Sequence, residues 1–193
     1  MTTALPRREQ LLEAAAQLFA DRGFHAVGID DIGAAAGISG PGVYRHFASK
    51  GALLESLCDR AMTRMLDGAR GIVAEQHEPY SALEALVSLH VAFGLEERAL
   101  IAVWVREVRS LSDDVRRSLR RRMREYEQLW HGVLSALRED LDAGGVSVVV
   151  GSTLAMLNGT AFTAPAVPAE RHEALLRKMA LSALLSRRAP ARR

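Results

Sequence analysis

Residues 29–47 read IDDIGAAAGISGPGVYRHF, a segment in which glycines interrupt a series of apolar positions. A helix-turn-helix requires a small residue within its first helix, a glycine at the turn and apolar residues that lock two steeply crossing helices together. Gly33 supplies the small contact, and Gly37 supplies the turn, where we expect a positive φ that penalises a side chain. The apolar residues follow in register: Ile32, Ala36, Ile38, Val43 and Phe47. The segment therefore predicts a helix-turn-helix.

The sequence before and after this motif also predicts helices. Residues 7–22 place apolar side chains at i, i+3, i+4 and i+7, as an amphipathic helix does. Ser49 is expected to cap the helix that follows the motif. Ser81 and Glu84 form a capping-box pattern that predicts another helix start, and Ser112 is expected to cap a long helix.

The C-terminal third is less clear, because residues 146–150 have strand propensity. We interpret residues 147–162 as a helix from their context, and we expect a final helix over 169–186. The basic tail 187–193 has little to pack against and is predicted to be disordered.

The composition is that of a soluble globular protein, since 49% of the 193 residues are hydrophobic and 25% are charged. We find no apolar run of about 18 residues without charge and no signal peptide, so we expect a cytoplasmic protein without a membrane segment. The net charge is only +2, so bulk charge does not argue for DNA binding. Cys58 is the one cysteine, which excludes an intramolecular disulfide and a thiolate zinc cluster.

The motif resembles the TetR-type repressor family. The resemblance is carried by four stretches across residues 8–57: Leu18-Phe19 to Gly23-Phe24, Gly37-Ile38-Ser39, Gly42-Val43-Tyr44-Arg45-His46-Phe47, and Ser49-Lys50 with Leu53. Two positions depart from the family pattern, since Gly33 stands where alanine is usual and Gly28 where a hydroxyl residue is usual.

The resemblance implies that Ser39–His46 enters the major groove of DNA. Arg45 is then expected to read guanine, while Tyr44 and His46 contact phosphates. Lys50, at a helix N-terminus, is expected to share a phosphate with free backbone N–H groups. The expected DNA-binding residues are Gly28, Ser39, Gly40, Pro41, Gly42, Tyr44, Arg45, His46 and Lys50. Structural roles for Tyr44 and His46, and a solvated surface role for Arg45, are the alternatives.

The resemblance also implies an all-α fold of about nine helices. The expected division is a three-helix head in residues 1–50, a helical ligand-binding and dimerisation domain in 51–186, and the tail 187–193. The expected dimer interface comprises Gly151, Ala155, Gly159, Leu175 and Met179, with packing inside one chain as the alternative. Candidates for the ligand pocket are His90, Phe93, Trp104, Met123, Tyr126 and Trp130, with ordinary core packing as the alternative.

The resulting hypothesis is a homodimeric, sequence-specific repressor that a small-molecule effector, largely apolar, releases from operator DNA. A regulator that needs its ligand as a corepressor is one alternative. An enzyme is another, but Glu127 and His131 at i, i+4 do not make a zinc site, and we expect no catalytic residues, metal or cofactor. A helical adaptor without DNA binding would leave the 29–50 constellation unexplained.

Overall fold

Every regular element is a helix in the computed structural model, which describes residues 5–163 and 166–186. The described residues form 3-10 helices at Val108–Ser110 and Gly159–Phe162, and the α-helices α1 (Arg7–Arg22), α2 (Ile29–Ala35), α3 (Gly40–Val43), α4 (Lys50–Glu75), α5 (Pro79–Glu96), α6 (Arg98–Glu107), α7 (Asp113–Leu137), α8 (Ala143–Asn158) and α9 (Ala169–Leu185). The expected all-α class is confirmed. The predicted tail 187–193 lies outside the described residues.

The N-termini of three helices show which side chains cap them. The Ser49 hydroxyl accepts a hydrogen bond from the Ala52 N–H at 3.1 Å, which confirms the predicted cap of α4. The predicted capping box at Ser81 is wrong, because α5 begins two residues earlier and the Glu78 carboxylate accepts the Ser81 N–H at 2.8 Å. At α8, Asp142 accepts the Gly145 N–H at 2.7 Å, so the helix begins before the β-branched run and includes it.

The described chain divides into two compact units. The first unit comprises the residues up to Thr63 together with Glu97–Arg121. Its boundary differs from the predicted head, 1–50, because α6 packs against α1 and the start of α4 shares the same core. That core consists of fully or nearly fully buried side chains: Leu11, Leu12, Phe19, Ile32, Val43, Leu53, Leu54 and Leu57.

The second unit comprises Arg64–Glu96 and the residues from Arg122 onward. Within it, α5 packs against α9 and α8, and α8 packs against α9. Arg138 ties the end of α7 to α9, since its buried guanidinium donates to the Leu184 carbonyl at 2.9 Å and binds both carboxylate oxygens of Asp140 at 2.7 and 2.8 Å. This bidentate pair, together with the carbonyl, satisfies the charge of an arginine that has left water.

One segment of the second unit corrects an expectation from composition. Within the described residues, Ala143–Phe162 is long and apolar enough to cross a membrane by length and composition, although we expected no such stretch. Only 33% of this segment is buried inside the chain.

Candidate functional site

The turn of the helix-turn-helix has the geometry that its two key glycines predict. Gly37 has a φ of +71°, in the left-handed region that disfavours side chains, as expected. Beside it, the Ile38 N–H donates to the Gly33 carbonyl at 2.9 Å. A Cβ at Gly33 would lie 2.9 Å from the Ile38 carbonyl oxygen, so α2 and the turn meet backbone to backbone. This close contact therefore explains why Gly33 stands where the family usually has alanine.

Two further glycines of the motif, Gly40 and Gly42, are buried within it. Their expected contacts with DNA stay predictions. A Cβ at Gly40 would lie 1.8 Å from the Asp30 Oδ1 atom, and a Cβ at Gly42 would meet Ile38 and Ser39 at 3.4 Å. The small size of Gly40 allows α3 to pack against α2, whereas Gly42 packs against the turn between the two helices.

The remaining motif residues form an exposed row on α3 and the turn after it. The exposed row consists of Ser39, Pro41, Tyr44, Arg45 and His46. Tyr44 is 56% exposed, an unusual state for a tyrosine in a packed motif. Within the described residues, no side-chain hydrogen bond or ion pair engages Tyr44, Arg45 or His46. A guanidinium, an imidazole and a phenol therefore project from one short segment with their polar groups available to a ligand.

Lys50 has an intramolecular role that the sequence did not indicate. Its ammonium donates to the carbonyls of Phe24 at 2.8 Å and Val27 at 2.7 Å, and it lies 4.5 Å from the centroid of the Phe24 ring. The Gly28 N–H is likewise engaged, by the Asp31 carboxylate at 2.7 Å. A phosphate bound by either group would have to exchange one of these bonds, so the DNA contacts of Lys50 and Gly28 stay predictions.

The connection between α1 and α2 is also held from the end of α6. The buried Glu107 carboxylate accepts the Phe24 N–H at 3.1 Å, and Arg106 donates to the Ala20 carbonyl at 3.2 Å. The Ser110 hydroxyl lies 3.3 Å from the His25 Nε2 atom. The sequence analysis missed Glu107. The only indication of its role was that an acidic residue stands among the apolar positions that precede Ser110.

In the second unit, three of the six pocket candidates meet in one cluster with a residue that the sequence analysis missed. The His90 Nδ1 atom lies 2.9 Å from the Tyr126 hydroxyl, and His90 Nε2 lies 3.1 Å from Asn158 Oδ1. The Trp130 ring packs edge-on against Tyr126, with centroids 6.1 Å apart, and against His90, at 6.2 Å. Asn158 is the chain's only asparagine, and it lies in a stretch, residues 143–169, that contains no charged residue. This isolated amide is a signal that could have identified it. We call these four residues the His90 cluster.

The electrostatics of the His90 cluster are those of a neutral, largely buried site. Burial lowers the pKa of His90 to about 4, and the hydrogen bond with Asn158 opposes this shift only in part. Since Asn158 Oδ1 can only accept, His90 carries its proton on Nε2, and Nδ1 accepts the Tyr126 hydroxyl proton. Burial also raises the pKa of Tyr126, and a side-chain hydrogen bond with the Trp130 indole opposes this shift in part. All four side chains are uncharged at neutral pH.

The other pocket candidates are placed differently. Phe93 is buried in the second unit, and the Arg64 guanidinium lies 5.3 Å from its ring centroid. Met123 is half-buried in the same unit, whereas Trp104 belongs to the first unit. The structure thus brings three of the six candidates together, and the role of all six in ligand binding stays a prediction.

The expected interface residues lie on a face that the described chain leaves uncovered. Leu175 is 43% and Met179 is 51% exposed on α9, and Gly151 and Ala155 are exposed on α8. A Cβ built on Gly151 or Gly159 would meet no atom within 4 Å. Their small size is therefore not explained by packing inside one chain, which was the alternative. We call these five residues the α8–α9 face.

Comparisons with known proteins agree with this architecture. Residues 11–57 match the family described as bacterial regulatory proteins, tetR family, and residues 76–162 match the tetracyclin repressor-like C-terminal domain. The chain is 33% identical over 143 residues to the HTH-type transcriptional repressor KstR2 of Rhodococcus jostii, which covers 70% of each protein. The HTH-type transcriptional regulator UidR of Escherichia coli is 36% identical over 105 residues, about half of each chain.

Solved structures of similar proteins superpose on more than nine-tenths of the chain. The structure of KstR2 from Mycobacterium tuberculosis superposes with a TM-score of 0.81 at 25% identity and covers 95% of both chains. A TetR-family regulator from Bordetella parapertussis superposes with a TM-score of 0.85 at 25% identity, covering 93% of this chain and 94% of that one.

These matches cover both the DNA-binding motif and the helical region behind it. Regulators of this family bind operator DNA and act as dimers that respond to small molecules. The family is one of transcriptional regulators and not of enzymes. The chain therefore belongs to the TetR family and is a DNA-binding transcriptional regulator.

Proposed function

We propose that the protein is a homodimeric cytoplasmic repressor whose exposed row reads an operator half-site and whose second unit binds a small-molecule effector that releases the DNA. The observation that carries this proposal is the state of Arg45, whose side chain is exposed beside Tyr44 and His46 and has no polar partner among the described residues. Arginine is the residue that most often reads guanine in the major groove, through two parallel hydrogen bonds.

The proposed division of labour follows from which motif residues are buried. Gly33, Gly37 and Gly40 serve the crossing of the two helices, so they set the angle at which the exposed row is presented. Lys50 holds the connection before α2 and thereby fixes where the motif begins. Base reading then falls to Arg45, while Tyr44 and His46 are placed to contact phosphates and set the register.

A repressor of this type reads two half-sites about 34–36 Å apart, which one copy of the motif cannot span. The proposal therefore requires a second copy of the chain, and the α8–α9 face supplies the surface for it. The apolar side chains of Leu175 and Met179 would lose their contact with water, and the glycines of α8 would allow close helix approach.

Operator binding is tested by anisotropy titration of labelled DNA from immediately upstream of the protein's own gene, followed by duplexes selected from a random pool. We expect competitor-resistant binding that Arg45→Ala weakens by about tenfold or more, since a bidentate contact contributes about 1–3 kcal/mol of discrimination. Arg120→Ala removes the same charge from an exposed site on α7 and is the matched control.

Two results would contradict the proposal. If no selected duplex resists competitor DNA at moderate salt, the motif is not a sequence reader. If a small molecule that binds the protein tightens the complex with DNA, it acts as a corepressor and the proposed direction of control is reversed.

A further inference from the structure

Two arginines beside the connection between α1 and α2 have no partner for their charge. Arg22 lies in the last turn of α1, and Arg109 lies in the 3-10 helix that follows α6. Both residues are exposed, and across residues 5–163 and 166–186 neither side chain makes a hydrogen bond, an ion pair or a ring contact. We call Arg22 and Arg109 the flanking pair.

Hydrogen bonds hold together the two segments that carry the flanking pair. The Glu107 carboxylate accepts the Phe24 N–H at 3.1 Å, and the Ser110 hydroxyl lies 3.3 Å from the His25 Nε2 atom. One arginine of the pair precedes Phe24 by two residues, and the other lies between Glu107 and Ser110 in the chain. Both arginines therefore belong to the same part of the first unit, at the connection that leads into α2.

The acidic residues closest to the pair in the chain are already engaged. Both carboxylate oxygens of Asp21 accept the Gln17 amide at 3.0 Å, and Asp113 is paired with Arg116. The Glu107 carboxylate is buried and accepts a backbone N–H. The two guanidinium groups of the flanking pair are thus available to an anion from outside the chain.

The neighbouring DNA interface indicates which anion this is. In a helix-turn-helix, the first helix crosses the DNA backbone while the second helix lies in the major groove. The first helix is α2, and His25 precedes its first residue, Ile29, by four positions, which span at most about 14 Å. The flanking pair therefore continues the DNA interface on the side of the strand that α2 crosses.

We propose that Arg22 and Arg109 bind phosphates of the DNA strand that α2 crosses, outside the base pairs that the exposed row reads. This inference rests on the proposed function in placing the operator against the exposed row. A guanidinium binds phosphate oxygens through two parallel hydrogen bonds. The flanking pair thus adds affinity that depends on salt and not on base sequence, while base reading stays with Arg45.

The salt dependence of DNA binding tests this proposal. Anisotropy titrations at several salt concentrations compare the wild type with Arg22→Ala/Arg109→Ala, on the selected duplex and on the same duplex with a mismatched half-site. Each lost phosphate contact lowers the slope of log affinity against log salt by about 0.9, so we expect a decrease of about 1.8 for each chain bound. The affinity should fall by the same factor on both duplexes, whereas Arg45→Ala should weaken the matched duplex more.

Two further variants separate phosphate binding from other roles of these arginines. Arg22→Lys/Arg109→Lys keeps both charges and should keep the wild-type slope. Arg120→Ala/Arg121→Ala removes two exposed arginines from α7 and should keep it as well.

The proposal is overturned if Arg22→Ala/Arg109→Ala keeps the wild-type slope, as it would if the pair received an acidic protein instead of DNA. It is also overturned if the α7 variant loses as much slope, or if the loss of affinity differs between the two duplexes. A wild type that bound matched and mismatched duplexes equally would contradict the proposed function, and the slopes would still decide whether the flanking pair binds phosphate.

Discussion

At the scale of single residues, Glu107 and Lys50 hold the same connection between α1 and α2 through different atoms. Glu107 accepts the backbone N–H of Phe24, whereas Lys50 donates to the carbonyls of Phe24 and Val27. These three hydrogen bonds fix the backbone that leads into α2. The position of the exposed row thus depends on two side chains that are not expected to touch a base.

Glu107→Ala is expected to destabilise the protein by about 1–3 kcal/mol, because it leaves the Phe24 N–H without its acceptor in a partly buried site. It should also weaken operator binding several-fold, since α2 begins from a loosened connection. Urea unfolding and anisotropy titration measure the two effects. Glu107→Gln retains an acceptor oxygen and should recover most of both losses, and Glu55→Ala, at an exposed site on α4, is the control. Equal behaviour of Glu107→Ala and Glu55→Ala would refute the role assigned to Glu107.

His90 predicts a specific dependence of stability on pH. Its folded-state pKa of about 4 lies below the ordinary value of 6.5, so between these two values the unfolded chain binds the proton and the folded chain does not. The contribution of the neutral His90 to the free energy of unfolding is therefore complete above pH 6.5. It decreases as the pH falls, by about 1.4 kcal/mol per pH unit. Between pH 6.5 and 5, the wild type should lose about 2 kcal/mol more than His90→Gln in urea unfolding at fixed protein concentration. Parallel losses in the two proteins would show that His90 titrates normally.

At the scale of elements, two glycines that both lie inside helices are expected to respond to alanine in opposite ways, because only one of them contacts the turn. Gly33→Ala should destabilise the protein by about 1–3 kcal/mol, because its Cβ would press on the Ile38 carbonyl oxygen and the gain in helix propensity does not compensate. Gly132→Ala on α7 should stabilise it by about 0.5–1 kcal/mol, because its Cβ would meet no atom within 4 Å. Thermal unfolding distinguishes the signs, and stabilisation by Gly33→Ala would show that the turn has room for a methyl group.

The helices themselves could be predicted from the sequence because their signals are local. The turn at Gly37 and the cap at Ser49 depend on neighbours within a few residues, and both are as expected. The pairing of Glu107 with Phe24 joins residues 83 positions apart, and no local pattern encodes it. Gly40 shows the same limit, since its small size was evident but its neighbour, Asp30, follows only from how α2 and α3 cross.

The run Val146–Val150 shows how context overrides propensity. β-branched residues favour strands, yet Asp142 caps the backbone ahead of them and α8 packs against two other helices. The half-buried Asn158 at the end of this helix acquires its role only when α5 is placed beside it. The sequence thus identified the aromatic members of the His90 cluster, but not the hydrogen bonds that join them.

At the scale of the whole molecule, the proposed dimer would cover apolar side chains that the second unit exposes. Val148 is 67% exposed on α8, and Leu175 and Met179 extend the same kind of surface on α9. Exposing contiguous apolar area to water is unfavourable, and soluble proteins cover such faces with another protein. A second copy satisfies this requirement and also supplies the second reading motif, since a twofold axis presents the same face from both chains.

Met179→Glu is expected to convert the dimer into a monomer, because a twofold interface would bury the carboxylate once from each chain and each burial costs several kcal/mol. Sedimentation equilibrium at micromolar concentration should give the mass of one chain for this variant and of two for the wild type. Operator affinity should fall at least a hundredfold, since each monomer reads one half-site and loses the gain from simultaneous binding. Gln128→Glu adds the same charge at an exposed position on α7 and should remain dimeric with unchanged affinity. A Met179→Glu protein that sediments as a dimer would place the contact between copies elsewhere, whereas a monomer that still bound the full operator as tightly as the wild type would separate DNA recognition from dimerisation.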